Sequence, residues 1–162
     1  AVKLRITCDK KYPRLVEKIA NSLQKLLPDN KVGRVDRGNS VDVYCYSNYL
    51  ESILGWTAKG GSKIKQGIFV PSWIIEDASF SKECLRGLFQ TDGSIYYDRG
   101  YLMVNFVNHA PILVSDIVFM IKKLGFYPNL QKLKTKNGLI KHTIRISKNT
   151  LEFIGTIKLI KD

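Results

Sequence analysis

The chain repeats one pattern of residues in its two halves. When the sequence is shifted by 98 positions, residues 11–19 (KYPRLVEKI) overlie residues 109–117 (HAPILVSDI), and a proline, a Leu-Val pair and an isoleucine coincide. In each copy the proline stands where the first turn of a helix tolerates a missing N–H, and the apolar residues that follow recur at helical spacing. The repeat predicts the same amphipathic helix in both halves.

The residues before each predicted helix alternate between apolar and polar. At the same shift, the apolar positions Leu4, Ile6 and Cys8 align with Leu102, Val104 and Phe106. Lys3, Arg5 and Thr7 occupy the alternate positions of the first copy. A period of two predicts a strand with one buried face and one open face.

A second alignment extends the repeat towards the end of each half. At a shift of 101, residues 43–53 overlie residues 144–154, so one loop of the second half is three residues longer. Each half is predicted as strand, helix, strand, strand and short helix, which gives an α+β fold of two pseudo-symmetric halves. The predicted boundaries are 1–54 for the first half, 55–78 for an ordered but irregular linker, and 79–162 for the second half.

The charge of the chain indicates the class of partner. Lys and Arg total 26 against 14 acidic residues, which gives a formal net charge of +12. A strongly basic domain of this kind favours a polyanionic partner. No run approaches the roughly 18 apolar residues that span a bilayer, and no N-terminal signal pattern is present. We therefore expect a soluble, intracellular protein with no membrane partner.

Residues 81–93 (SKECLRGLFQTDG) form an apolar helical stretch that ends on one acid. Ser81 is predicted to be its N-cap. Gly87 costs a helix interior roughly 1 kcal/mol relative to Ala, which is explained if a second helix packs closely there. Asp92 falls at the helix end, and Gly93 is expected to take a positive φ and turn the chain into a strand.

A carboxylate at the end of a closely packed helix pair is a strong position for a divalent cation. Hard oxygen ligands suit Mg²⁺, and two metals about 4 Å apart stabilise both the attacking and the leaving oxygen in phosphodiester hydrolysis. The alternative is that Asp92 only caps a turn.

Residues 85–93 (LRGLFQTDG) match, position by position, the motif of the LAGLIDADG homing endonucleases. Gly87, Leu88, Asp92 and Gly93 are kept, and Gln90 replaces the first acid. Residues 68–75 and 94–96 also look like the second half of a single-chain, two-motif member. The resemblance implies αββαββα halves, an interface between the two motif helices, and a saddle of antiparallel strands that grips duplex DNA.

The resemblance also implies roles for individual residues. Asp92 corresponds to the metal-binding acid, with the Thr91 carbonyl as an additional ligand and Mg²⁺ as the cofactor. Lys11 and His109 correspond to the two copies of a basic residue that assists the attacking water. Gly87 corresponds to the interface between motif helices.

A two-motif member carries a motif helix in each half. At the shift of 98, the counterpart of residues 85–93 would lie before Ala1, so the alignment contains only the second motif. Three alternatives follow: a second polypeptide supplies the missing helix, the sequence begins after it, or the protein binds without cleaving.

The open strand faces and their hairpins supply the predicted DNA-binding residues. Interleaved Arg, Lys, Tyr and Asn side chains suit major-groove reading by strands, although solvated strand faces carry the same residues. The candidates are Lys3, Arg5, Thr7, Arg34, Arg37, Tyr44, Tyr46, Asn105, Lys132, Lys134, Lys136, Lys141, Thr143 and Arg145. Because the halves differ at most of these positions, we expect a long, asymmetric duplex target.

The sequence therefore predicts a site-specific, Mg²⁺-dependent endonuclease of double-stranded DNA. The main alternative is a non-cleaving module of the same fold, either an RNA-binding maturase or a DNA-binding regulator. A basic structural protein without sequence preference is the third hypothesis.

Overall fold

The computed structural model describes every residue from 1 to 162 and divides into two compact units. The first unit contains residues 1–60 together with 161–162, and the second contains residues 61–160. No helix in the chain combines the length and the apolar character needed to cross a membrane.

The first unit follows the order of elements that the repeat predicts. It contains β1 (Val2–Asp9), α1 (Pro13–Leu26), β2 (Gly33–Asp36), β3 (Ser40–Ser47) and α2 (Leu50–Leu54). The strands form an antiparallel sheet in the order β1-β3-β2, so β3 is paired on both sides. Pro13 begins α1, in the turn where a missing N–H is tolerated.

One face of this sheet packs against α1. Val43 and Cys45 of β3 are fully buried, and they pair with Ile6 and Leu4 of β1. Helix α1 adds Val16, Ala20 and Leu23 to the same apolar cluster. The period-two pattern of β1 therefore separates a packed face from an open one, as predicted.

The open face of this sheet holds a buried acid. Asp42 of β3 is 4% exposed although it points away from the apolar cluster. The Thr7 hydroxyl donates to Asp42 Oδ1 over 2.7 Å, and Arg37 Nε donates to Oδ2 over 3.1 Å. The hydrogen bond from Thr7 is the main cause that lowers the pKa of Asp42; burial opposes it, while Arg37 and Arg5 lower the pKa further. Asp42 is thus held as a carboxylate.

The second unit has the αββαββα order that the resemblance implies. After α3 (Ser72–Glu76) it contains α4 (Ala78–Asp92), β4 (Gly93–Asp98), β5 (Tyr101–Asn108), α5 (Pro111–Lys123), β6 (Asn129–Lys134), β7 (Ile140–Ile146) and α6 (Thr150–Ile157). The antiparallel sheet has the order β4-β5-β7-β6. In the repeat alignment β1 corresponds to β5, so this sheet has one additional strand, β4.

Residues 55–78, predicted as a linker, are partly helical and partly packed. They include α3, and Ile68 and Val70 within them are buried. The Val70 N–H donates to the Asp116 carboxylate of α5 over 2.9 Å. This hydrogen bond ties the segment before α3 to the second unit.

Phe89 of α4 lies at the centre of the core of the second unit. Its fully buried ring lies 5.3 Å from that of Phe106 on β5 and 5.5 Å from that of Phe153 on α6, measured between centroids. Burying a side chain of this size contributes about 1.5–3 kcal/mol. Helix α4 is therefore anchored to the sheet and to α6 one turn before it ends at Asp92.

The prediction that Ser81 caps α4 is wrong, because the helix begins at Ala78. Asp77 is the N-cap, and its carboxylate accepts a hydrogen bond from the Phe80 N–H over 2.9 Å. Ser81 is buried inside the helix, where its hydroxyl donates to the Ile74 carbonyl over 2.9 Å. Asp and Ser are comparable N-caps, so propensity alone does not choose between them.

The predicted positive φ of Gly93 is also wrong, since its φ is −84° and its ψ is 165°. Glycine is required there for space. A Cβ at this position would lie 2.5 Å from the Phe89 carbonyl oxygen and 2.9 Å from the Phe89 Cα. At Gly87, by contrast, a Cβ would meet no atom within 4 Å.

We expect the two motif glycines to respond oppositely to alanine. Gly93→Ala introduces a backbone clash and lowers the free energy of unfolding by about 1–3 kcal/mol. Gly87→Ala adds a methyl group in open space within a helix and raises it by up to about 1 kcal/mol. Urea unfolding of both variants and the wild type measures the difference, and equal stability of the two variants would contradict this account.

Asp42 predicts a dependence of stability on pH. Its pKa in the folded state is lowered from an unfolded value of about 3.9. Its stabilising contribution is therefore complete above the unfolded value and is lost as the pH falls through the folded value. Urea unfolding should show Asp42→Asn less stable than the wild type near neutral pH, with the gap narrowing below about pH 4. A gap that stays constant in acid would refute this assignment.

Candidate functional site

The acid of the motif lies at an exposed helix end. Asp92 is the last residue of α4 and is exposed. The carbonyls of a last helical turn lack partners within the helix and form the negative end of its dipole, so they favour a cation beside the carboxylate. No group of three or more His, Cys, Asp or Glu side chains could hold a metal ion. Asp92 thus offers a single carboxylate.

The Thr91 side chain turns back towards its own helix. Its hydroxyl lies 3.1 Å from the Gly87 carbonyl and 3.2 Å from the Leu88 carbonyl, and 3.4 Å from Asp92 Oδ2. Thr91 could therefore bind a cation only through its main-chain carbonyl. This is the ligand that the resemblance implies.

His109 lies at the same end of the second sheet as Asp92. Gly93, which follows Asp92, pairs with Phe106, and β5 ends two residues later, immediately before His109. His109 Nδ1 lies 3.1 Å from the Ile140 carbonyl oxygen. Because a carbonyl only accepts, Nδ1 carries the hydrogen, and Nε2 is the nitrogen that can accept a proton in the neutral ring.

Lys11 occupies the corresponding position in the first unit, between β1 and α1. Its Nζ lies 3.3 Å from Asp9 Oδ2 and 4.9 Å from the centroid of the Tyr12 ring. The hydrogen bond to Asp9 is the main cause that raises the pKa of Lys11, and Tyr12 adds to it. A protonated ammonium stabilises negative charge but does not accept a proton. Lys11 is therefore suited to stabilising charge and not to acting as a general base.

The open face of the first sheet combines cations with tyrosines. Lys3 pairs with Tyr46 and Arg5 pairs with Tyr44 across β1 and β3. Lys3 Nζ lies 4.4 Å from the centroid of the Tyr44 ring and 5.5 Å from that of Tyr46. The Tyr44 ring covers Gly33 of β2, where a side chain would collide with it. These contacts bring together the candidates predicted on β1 and β3.

The open face of the second sheet carries a polar chain of three residues. Arg145 of β7 donates from Nε to Asn105 Oδ1 over 3.3 Å, and Asn105 Nδ2 donates to the Tyr96 hydroxyl over 2.8 Å. Thr143 and Lys141 continue the same face of β7. Both the oxygen and the nitrogen of the Asn105 amide are hydrogen-bonded within the protein. Asn105 therefore orients Arg145.

Two candidates lie on the other face of the second sheet. Lys132 pairs with the buried His142, and Lys134 pairs with Ile140. Their predicted placement on the open face beside Arg145 is wrong, because the five-residue turn between β6 and β7 sets a register that reverses the sides. Contact of these lysines with DNA stays a prediction. Lys136 is exposed within the turn.

Arg34 is separated from the open face of the first sheet. It pairs with the buried Val43, and both of its terminal nitrogens donate to the Glu17 carboxylate of α1, Nη2 over 2.9 Å. Its predicted contact with DNA therefore competes with an ion pair on the helix side. Arg37, at the hairpin, reaches the open face through Asp42.

Gln90 replaces the first acid of the motif and has a structural contact. It is buried, and its Nε2 donates to the Ile160 carbonyl over 3.0 Å. An ionised acid in this place would have no hydrogen to donate. Gly87 is exposed, and close packing by a helix of a second polypeptide stays a prediction.

Sequence reasoning missed Asp42 and Tyr96. Both lie on open faces in register with predicted residues: Asp42 pairs with Thr7, and Tyr96 pairs with Met103, two residues before Asn105 on the same side of β5. The period of two along β3 could have placed Asp42 beside Tyr44 and Tyr46. Its hydrogen bonds depend on the neighbouring strand and on the hairpin.

Comparisons with known proteins agree with this architecture. Residues 79–158 match the LAGLIDADG-like domain family. No curated protein matches the chain.

Three solved structures resemble the whole chain. I-DmoI in complex with DNA and Mn has a TM-score of 0.68 and 15% identity, covering 96% of this chain and 80% of I-DmoI. I-DmoI in complex with DNA and Ca has a TM-score of 0.56 and 13% identity, covering 96% and 74%. The N-terminal LAGLIDADG domain of DUF199/WhiA has a TM-score of 0.60 and 13% identity, covering 98% and 73%. Residues 79–158 therefore form a LAGLIDADG-like domain, and the chain as a whole has the fold of the homing endonuclease I-DmoI and of the WhiA domain.

Proposed function

We propose that the chain binds duplex DNA through the open faces of its sheets and hydrolyses a phosphodiester bond beside Asp92. The position of Asp92 carries this proposal: an exposed carboxylate ends α4 at the end of the sheet where His109 also lies. Lys141 and Arg145 lie on the open face of the same sheet. An acid, an imidazole and cations in this arrangement suit a phosphate diester substrate.

Charge and shape support duplex DNA as the partner. The net charge of +12 favours a polyanion, and binding to phosphates releases counterions. Antiparallel strands fit the major groove, where Arg and Lys reach guanine acceptors. The open faces of the two sheets carry different side chains, so we propose a long and asymmetric target.

The donors beside Asp92 fit a divalent cation such as Mg²⁺. The carboxylate and the carbonyls of the last turn, including that of Thr91, are hard oxygen donors. Magnesium at phosphates commonly uses one or two carboxylates, with water and phosphate oxygens in the remaining positions. A bound divalent cation would supply charge stabilisation and a water of lowered pKa.

The basic side chains have separate roles in this proposal. His109 Nε2 accepts a proton from the attacking water, while Nδ1 holds the ring against the Ile140 carbonyl. Lys11, held protonated by Asp9, stabilises negative charge on phosphate. Arg145, supported by Asn105, contacts the DNA from the strand face.

Gln90 favours a second candidate function, in which the protein binds nucleic acid without cleaving it. The place of the first acid is taken by an amide that holds the chain at Ile160. In this candidate the partner is either folded intron RNA, as for a maturase, or duplex DNA, as for a regulator.

A cleavage experiment on Asp92→Asn tests the proposal. Duplexes bound by the wild type are enriched from a random-sequence pool, incubated with Mg²⁺, Mn²⁺ or EDTA, and scored for new DNA ends. We expect cleavage with the metals only, and a loss of at least about 100-fold in Asp92→Asn, because metal stabilisation of the transition state is worth several kcal/mol. Asp92→Asn should still bind the duplexes in EDTA as the wild type does.

Asp98→Asn is the matched control, because it neutralises another exposed acid at the opposite end of β4. It should cleave like the wild type. If the wild type and both variants bind duplexes and none of them cleaves, the proposed nuclease activity is overturned and the DNA-binding regulator remains. Preference for folded intron RNA over duplex at matched salt would support the maturase.

A further inference from the structure

Asp42 stands at the centre of the sheet of the first unit, on its open face. It lies on the central strand β3, with Thr7 of β1 on one side and Val35 of β2 on the other. Carboxylates are rarely buried unless they are paired. Nothing in the hydrolysis at Asp92 needs this acid, so its place on a DNA-binding face calls for another role.

The Asp42 carboxylate orients two arginines. Oδ1 accepts from the Thr7 hydroxyl, which leaves Oδ2 directed at the guanidinium groups. Arg37 Nε lies 3.1 Å from Oδ2, and Arg5 Nη1 lies 4.0 Å from it. The side chains of Arg37 and Arg5 are 52% and 60% exposed, whereas that of Asp42 is 5% exposed. The buried Asp42 carboxylate therefore anchors two exposed guanidinium groups.

The way in which Arg37 is held leaves its fork available. Asp42 engages Arg37 through Nε, so the two terminal nitrogens are not used in this contact. Arg34 in the same unit is the contrast, because Glu17 engages both of its terminal nitrogens. Arg37 is thus held through Nε while its two terminal nitrogens can reach a ligand, whereas both terminal nitrogens of Arg34 are occupied by Glu17.

This geometry suits a base edge better than a phosphate. A carboxylate beside two arginines cancels part of their charge and repels phosphate oxygens, which weakens the contribution that counterion release makes to binding. A guanidinium fixed in one orientation loses less conformational entropy when it binds. Two parallel terminal N–H groups match the O6 and N7 acceptors of guanine in the major groove.

We propose that Asp42 is a specificity-determining positioning residue, which holds Arg37 and Arg5 so that the first sheet reads guanine in duplex DNA. The inference rests on the proposed DNA binding and is independent of cleavage. Asp42 touches no base itself and acts through the two arginines.

The test uses the full chain and duplexes enriched by the wild type from a random-sequence pool. Affinity is measured for an enriched duplex and for a scrambled duplex of the same length and composition, at fixed salt and in EDTA. Guanines whose N7 methylation weakens binding are then mapped for each variant. This map reports base reading, which a purely structural role would not change.

Asp42→Asn should reduce the ratio of enriched to scrambled affinity by about tenfold and remove interference at one or two guanines. Arg37→Lys should do the same without touching the buried acid, and it serves if Asp42→Asn does not fold. Asp162→Asn is the matched control, since it neutralises a carboxylate that pairs with Arg14, an arginine of the same unit that is not among the predicted DNA contacts. It should keep both the ratio and the map.

Each result decides the question. If either Asp42→Asn or Arg37→Lys folds and keeps the ratio and the guanine map, the inference is overturned. If the wild type binds duplexes but enriches no sequence, the inference falls and DNA binding stands. If the wild type binds no duplex, the proposed function falls and takes the inference with it. Loss of the guanine contacts in both variants, with Asp162→Asn unchanged, supports the proposal.

Discussion

The close contact between Gly93 and Phe89 is the constraint on which the second unit depends. The first residue of β4 approaches the backbone of the last turn of α4 so closely that no side chain fits. Phe89 is at the same time locked between Phe106 and Phe153 in the core. The helix end therefore cannot shift relative to the sheet, and Asp92 projects at a fixed point beside the start of β4.

The open faces of the two sheets share a physical feature. In each, the Nε of an arginine donates to a side-chain oxygen on a strand of the sheet: Asp42 holds Arg37 in the first unit, and Asn105 holds Arg145 in the second. Long cationic side chains lose much rotamer freedom on binding, and these contacts remove part of that freedom beforehand. The acceptor is charged in one unit and neutral in the other, so the two faces differ in electrostatic character.

The order of the elements could be predicted well from the sequence. Proline placement, helical periodicity and strand alternation are local properties, and they indicated the order of elements and the packed face of β1. The motif placed Asp92 at a helix end. Local chemistry was less informative where two solutions are nearly equal in energy, as with Asp77 and Ser81 for the N-cap of α4.

By itself the sequence determined the α+β repeat, the basic surface, and a single acid ending a glycine-containing helix, because periodicity, charge and motif are carried by residues close in the chain. Only the tertiary structure decided which side chains meet. The register between β6 and β7 turned Lys132 and Lys134 away from Arg145, since a shift of one residue reverses every side chain of a strand. Strand pairing likewise buried Asp42 beneath Thr7 and Arg37, and the approach of the chain end made Gln90 a donor to Ile160.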